Sequence, residues 1–445
     1  MPHNLNCRRS WLVLSLLHLH LHLFFYTPLT MILTTSNKGK GKSKLARSWL
    51  AALFVTTSAL NSPYFGCCFA YTFGHYDSNM NNAKNARNNV NNNNNNHLNN
   101  NVVQNRVELR LDPHGGTGLY ANEAIQAGQT LNVMAQKDVV FRADEHSVIG
   151  TVIEKFFGLP PDGETNGFTE SCSIGATLAS WKLLADSNHR KHSGIRDTTA
   201  YHASTLPWEQ ARWQLPLLWS DEVLDQALEY GQQQALFLLE EEEQESPPQG
   251  NHPNYNTYSQ QQQQQQKEDI QQACESAKRQ VLNFQLAAAC LAEELGPALQ
   301  KQYGMDSTPA EVSLVCHQAL ALVFSRTFLH AATGEKCMFP TIDSANHHAT
   351  PNAETKSDPH HPGGVLLVAC RPIQKDEEIT ITYGLEDANA GISFSGYGFV
   401  PNGMAQNSVA DKALQLAARK GQDIAKALFL QNQQQQQWSQ QQQSQ

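Results

Sequence analysis

Three stretches of this chain cannot build a core, and their positions decide how much of it folds. Asn79–Asn101 is an asparagine tract, Glu240–Gln266 (EEEEQESPPQGNHPNYNTYSQQQQQQQ) joins like charge, proline and polyglutamine, and residues 431–445 are largely glutamine. Such segments bury too little apolar surface to offset the entropy of ordering the chain. The first is expected to belong to a disordered linker or transit segment over 69–105, the second to be a disordered, solvated loop, and the third a tail. The part able to fold runs from Arg106 to about residue 430, with one interruption.

Charge narrows the function classes. The 445 residues carry a formal net charge of -9, but residues 1–68 hold seven Lys/Arg and no acid, which leaves -16 on the remainder. So acidic a body argues against direct nucleic-acid binding, which needs a basic face toward phosphate. The nine cysteines include no C-x-x-C pair and scatter among apolar residues. Reduced, buried thiols are expected instead of a zinc ribbon or a disulfide framework.

Residues 1–68 read as a targeting leader. Trp11–Leu33 is apolar for long enough to cross a bilayer, although three histidines interrupt it. From Met31, a second possible start, a basic region (Lys38, Lys40, Lys42, Lys44, Arg47) precedes an apolar run from Trp49 to Leu60 and the small residues of NSPYFGCC. That is the layout of a cleavable signal peptide. With Phe69 just beyond, it resembles the bipartite leaders that direct proteins to algal plastids enclosed by extra membranes. Plastid import through an ER-type signal is the expectation, with cytoplasm or nucleus as the alternative; membrane contact is expected through the leader alone.

VELRLDP and GGTGLYANEAIQAGQTLNVM predict strand, tight glycine turn, strand, and a second turn at Ala127-Gly128. Helical spacing marks Val148–Phe157, Thr177–Leu184, a helix starting at Ser220, Glu268–Tyr303 and Pro309–Leu329. Val365–Cys370 and Glu378–Tyr383 have strand character, and Ser408–Leu430 is amphipathic. Several short segments then invite chemistry: GGTGLY (115–120), SRTF (325–328), IDSANHHATPNAE (342–354), ITITYG (379–384) and SGYGF (395–399). Each alone is bland. GGTGLY lacks dinucleotide-loop spacing, Arg326 reads as a surface ion pair, and His347 reads as a core histidine. No H-E-x-x-H or cysteine partner accompanies His347 and His348, so no metal is expected.

In this order, GGTGL, LPLLWSDE, SRTF, DSANH, TYG and YGF resemble a SET domain of the Rubisco large-subunit methyltransferase-like class, over roughly Arg106–Gly403. The resemblance implies an α+β fold: a β-clip core with a pseudoknot, split by a helical iSET insertion over about 150–320, then a helical C-terminal segment over 404–430. It implies a protein-lysine N-methyltransferase that uses S-adenosyl-L-methionine as methyl donor, acts as a monomer, and takes a protein substrate bearing the target lysine. Gly116, Thr117, Gly118 and Leu119 would present main chain to the cofactor. Ser325 and Arg326 would both belong to the cofactor site, Arg326 pairing with the methionine carboxylate; Asn346 and His347 would hold adenine and ammonium, with Asp343, also of the cofactor site, bracing their loop. Tyr383 would be the catalytic tyrosine, with Tyr397 and Phe399 walling the substrate channel.

Some features depart from the family pattern. Gly115 stands where an acid is common, and one extra residue lies between Asn389-Ala390 and Tyr397. Only 42 residues follow Gly403, where relatives carry a longer substrate-docking lobe. A histidine-directed methyltransferase and a non-catalytic SET-like binding module are the alternatives.

Overall fold

The computed structural model describes residues 106–443 apart from 112–116, 141–147, 158–166, 185–196, 246–252, 332, 386–388 and 402–407. The leader at 1–68, the linker at 69–105, and Gly116 therefore lie outside the described residues.

Alternating apolar residues build the first hairpin. β1 (Val107–Leu111) runs antiparallel to β2 (Thr117–Ala121), with Leu109 opposite Leu119. β9 (Glu378–Ile381) pairs with the other edge of β2, and β6 (Asn346–His347) lies parallel to β9, giving the order β1-β2-β9-β6. A second sheet places β8 (Val365–Ala369) between β3 (Thr130–Met134) and β7 (Ala353–Ser357). The third pairing is short: β4 (Phe328–Leu329) with β5 (Lys336–Cys337). Leu119, Ile125, Leu131, Phe339, Leu367 and Ile379 form the buried centre that these sheets share.

In sequence, helices fill the interval between β3 and β4: α1 (Val148–Phe157), α2 (Gly167–Leu183), α3 (Asp197–Thr205), α4 (Trp208–Gln214), α5 (Asp221–Glu245), α6 (Pro253–Tyr303) and α7 (Pro309–Arg326). Their starts follow local chemistry. Asp221 and Glu222 occupy the first turn of α5, where the helix dipole favours anions. Thr308 and Glu311 form a capping box ahead of α7, with Pro309 in its first turn. Two further helices close the described chain, α8 (Ala390–Tyr397) and α9 (Val409–Gln443). Cys172, Cys274, Cys316 and Cys337 are buried with no disulfide among the described residues, whereas Cys290 is partly buried and Cys370 is exposed, so the expectation of buried thiols holds for only part of the set.

The expected loop at 240–266 is corrected by the helices. α5 continues to Glu245 and α6 begins at Pro253, so only 246–252 lie outside described structure. Glutamine is a good helix former. Side-chain bonds one turn apart add to it: Gln264 to Glu268 (2.8 Å), Gln265 to Asp269 (2.9 Å) and Gln271 to Glu275 (2.9 Å). The glutamine tail behaves alike, with α9 running unbroken through 431–443 and Trp438 69% exposed on it.

α9 is laid along α5. Gly231 of α5 makes room for it, since a Cβ there would stand 2.8 Å from the Ala417 Cβ. Ala413, Leu414, Ala417 and Ala418 are buried in that seam.

Candidate active site

One short segment organises the site. Thr341 takes φ 74° and ψ -48°, a conformation that costs a non-glycine residue about 1–3 kcal/mol, and a single 3-10 turn follows at Ile342–Ser344. The chain then enters β6, so residues 343–347 offer alternate main-chain and side-chain groups to their surroundings.

Arg326 ends α7 and points at this segment. Its Nη1 donates to the Asp343 carbonyl at 2.8 Å and stands 3.5 Å from the Ser344 hydroxyl. Among the described residues no carboxylate pairs with it in an ion pair. Asn346 donates from Nδ2 to Glu378 Oε1 at 2.7 Å. Gly118 lies against the same two side chains: a Cβ there would meet Glu378 Oε1 at 2.9 Å and Asn346 Nδ2 at 3.3 Å. The absence of a side chain keeps this approach open.

Tyr383 sits just past β9 and is fastened at both ends. Its main-chain N–H donates to His347 Nδ1 at 3.1 Å, and its hydroxyl donates to the Ala345 carbonyl at 3.0 Å. The ring lies 5.3 Å from Tyr397, 5.4 Å from His347 and 6.4 Å from Phe399. His347 and Phe399 stack at 5.7 Å. Burial pushes the Tyr383 phenol up to about 12; nearby Arg326 opposes that rise while Asp343 and Glu378 add to it. Burial raises Tyr397 as well. A cleft of about 350 Å³ opens beside His347, lined also by His348, Phe399, Gln415, Arg419 and Gln422.

Of the residues singled out in sequence, Gly118, Arg326, Asp343, Asn346, His347, Tyr383, Tyr397 and Phe399 thus converge. Others do not join them through their side chains. Ser325 turns its hydroxyl back to the Leu322 carbonyl at 3.0 Å. Leu119 is fully buried in the sheet core, and Thr117 opens β2 opposite Leu111. Three participants were not singled out as residues in the sequence, although Asn352 lies within the polar segment 342–354. Glu378 was legible only as the start of a strand. Asn352, 1% exposed, knits β9 by accepting from the Thr380 N–H at 2.8 Å and donating to the Glu378 carbonyl at 2.7 Å. His202 of α3 brings its Nε2 to 3.0 Å from Asp343 Oδ2, both side chains nearly without exposure.

Comparison with known families matches residues 116–384, more than half of the chain, to the SET domain. No curated protein sequence matches the chain. Among solved structures it is similar to "Rubisco LSMT bound to AdoMet", at 15% identity and TM-score 0.39, covering 68% of this chain and 53% of that one. It is also similar to the "SET domain of LSMT bound to MeLysine and AdoHcy", at 17% identity and TM-score 0.41, covering 67% and 53%. The chain spans about half the length of these structures.

Proposed function

The chain belongs to the SET-domain family and has its α+β fold, and from that premise we propose that it is an S-adenosylmethionine-dependent protein methyltransferase acting on a lysine side chain. The helices between β3 and β4 would be the iSET lobe of a split SET domain. The observation that carries the reading is the convergence at residues 343–347 of a guanidinium, an Asn–His pair and a half-buried tyrosine hydroxyl.

The residues suit the donor's chemistry. Arg326, without a carboxylate partner among the described residues, would take the donor's carboxylate through a charge-assisted bond. Main chain at Gly118, with Asn346 and His347, would supply close approach and hydrogen bonds to its adenosine and ammonium parts. When bound, the donor supplies an electrophilic methyl group on a sulfonium. The lysine nitrogen would attack that carbon with its lone pair, and the breaking C–S pair would stay on sulfur as a thioether. The acceptor ammonium would have to give its proton to water before the attack, and the product would carry the positive charge as a methylammonium.

Tyr383 has a constrained part in this scheme. With its phenol raised to about 12 it stays protonated at neutral pH, so it is not a general base. Its O–H is engaged by Ala345, which leaves the oxygen lone pairs to accept from the incoming amine or the methyl C–H groups. Aromatic walls from Tyr397 and Phe399 would favour the neutral amine by withholding solvent. Positioning would supply most of the rate. The test is calorimetric binding of S-adenosylmethionine, followed by incubation with methyl-labelled donor and plastid extract. Labelled lysine on a discrete protein supports the reading; absence of donor binding defeats it.

A further inference from the structure

We propose that His202 is a positioning residue for the cofactor site, holding residues 343–347 in place through the Asp343 carboxylate. The proposal rests on the methyltransferase reading. His202 lies on α3, outside the short segments that carry the family resemblance. Its side chain is 1% exposed and that of Asp343 0%, with Nε2 to Oδ2 at 3.0 Å. The distance is that of an ion pair, although the angle falls outside hydrogen-bond geometry, and Nδ1 has no partner among the described residues.

An isolated buried carboxylate is costly, so a donor that faces it determines where it can rest. Asp343 has two working ends. The carboxylate meets α3 through His202, and its main-chain carbonyl accepts from Arg326 at 2.8 Å. Two residues on, the Ala345 carbonyl accepts from Tyr383. Residues 342–344 form one tight 3-10 turn. Without His202 the Asp343 carboxylate would keep only the Ser344 hydroxyl at 3.5 Å, and a shift of Asp343 by a fraction of an ångström toward a better partner therefore moves the acceptors of both Arg326 and Tyr383. His202 in this way ties the geometry of the helical segment to that of the donor site without touching any reactant.

His202→Phe keeps the ring volume and removes the donor; His202→Gln places an amide nitrogen near Nε2. The expected result is an S-adenosylmethionine Kd about tenfold weaker for His202→Phe and within about threefold of wild type for His202→Gln, on the scale of a buried charge deprived of a facing polar group. Affinity unchanged in both variants, or weakened equally in both, overturns the proposal. Should His202→Phe not fold, Asp343→Asn is compared with Asp343→Asn combined with His202→Gln, since paired amides can restore the contact. Tighter binding by the double variant supports the positioning role, and equal binding overturns it. Wild-type protein that binds no donor removes the methyltransferase reading and this role together, whereas wild-type binding with indifferent His202 variants removes this role alone.

Discussion

Replacing Tyr383 by phenylalanine deletes one oxygen and leaves the ring that packs against His347, Tyr397 and Phe399. What is lost is the 3.0 Å bond to the Ala345 carbonyl and the oxygen lone pairs that the proposed scheme directs at the acceptor amine and the methyl group. Loss of a single preorganised polar group at a reacting centre commonly costs about 3 kcal/mol of transition-state stabilisation, so turnover should fall about a hundredfold. Binding of S-adenosylmethionine should change less than about threefold, because the bond from Tyr383 to His347 Nδ1 is made by main chain and survives. Stability should drop by about 1 kcal/mol for the stranded carbonyl. Single-turnover transfer and calorimetry separate these quantities. With the phenol held at about 12, any rise in rate up to pH 10 belongs to the acceptor amine, so wild type and variant should share the shape of their pH profiles there. Equal losses in turnover and donor affinity would show that the tyrosine is only structural.

Other perturbations follow from the same packing. Gly118→Ala pushes a methyl group to 2.9 Å from Glu378 Oε1 and should disturb its bond to Asn346; donor affinity should weaken about tenfold while the melting temperature changes by only a few degrees. Lys336, buried on β5, is pushed down from 10.5 to about 8 by burial, against opposing effects of Glu170 and Cys172. Between those values the unfolded chain holds a proton that the folded form has released, so stability rises with pH. Relative to Lys336→Met, the wild type should gain about 3 kcal/mol across that window in denaturant melts. Gly231→Val drives side-chain atoms into α9 and should cost about 1–3 kcal/mol, read as a lowered urea midpoint.

Much of the framework was legible. β1, β2, β3 and β8 have enough residues to display apolar alternation or β-branched character, and the capping box at Thr308 marks the start of α7. β4, β5 and β6 are two residues each, too short for any periodicity to register. The acceptors that organise the site, on Asp343 and Ala345, are main-chain carbonyls, which leave no trace in residue type. His202 sits in a helix whose contact lies 141 positions away at Asp343, so only folding reveals it. The glutamine runs misled for the opposite reason: low complexity suggests disorder, but their helix propensity and bonds to acids one turn on favour a rod.

The sheet order β1-β2-β9-β6 has a consequence for how such a protein is made. β9 supplies the strand that separates the first hairpin from the residues preceding it by some thirty positions, and Tyr383 follows directly after it. A polypeptide cut short before residue 378 contains the arginine, the asparagine and the histidine, but it has nothing to hold them against the glycine strand. On the proposed reading, chains truncated before that strand should bind no donor, and chains extending past Tyr383 should bind it.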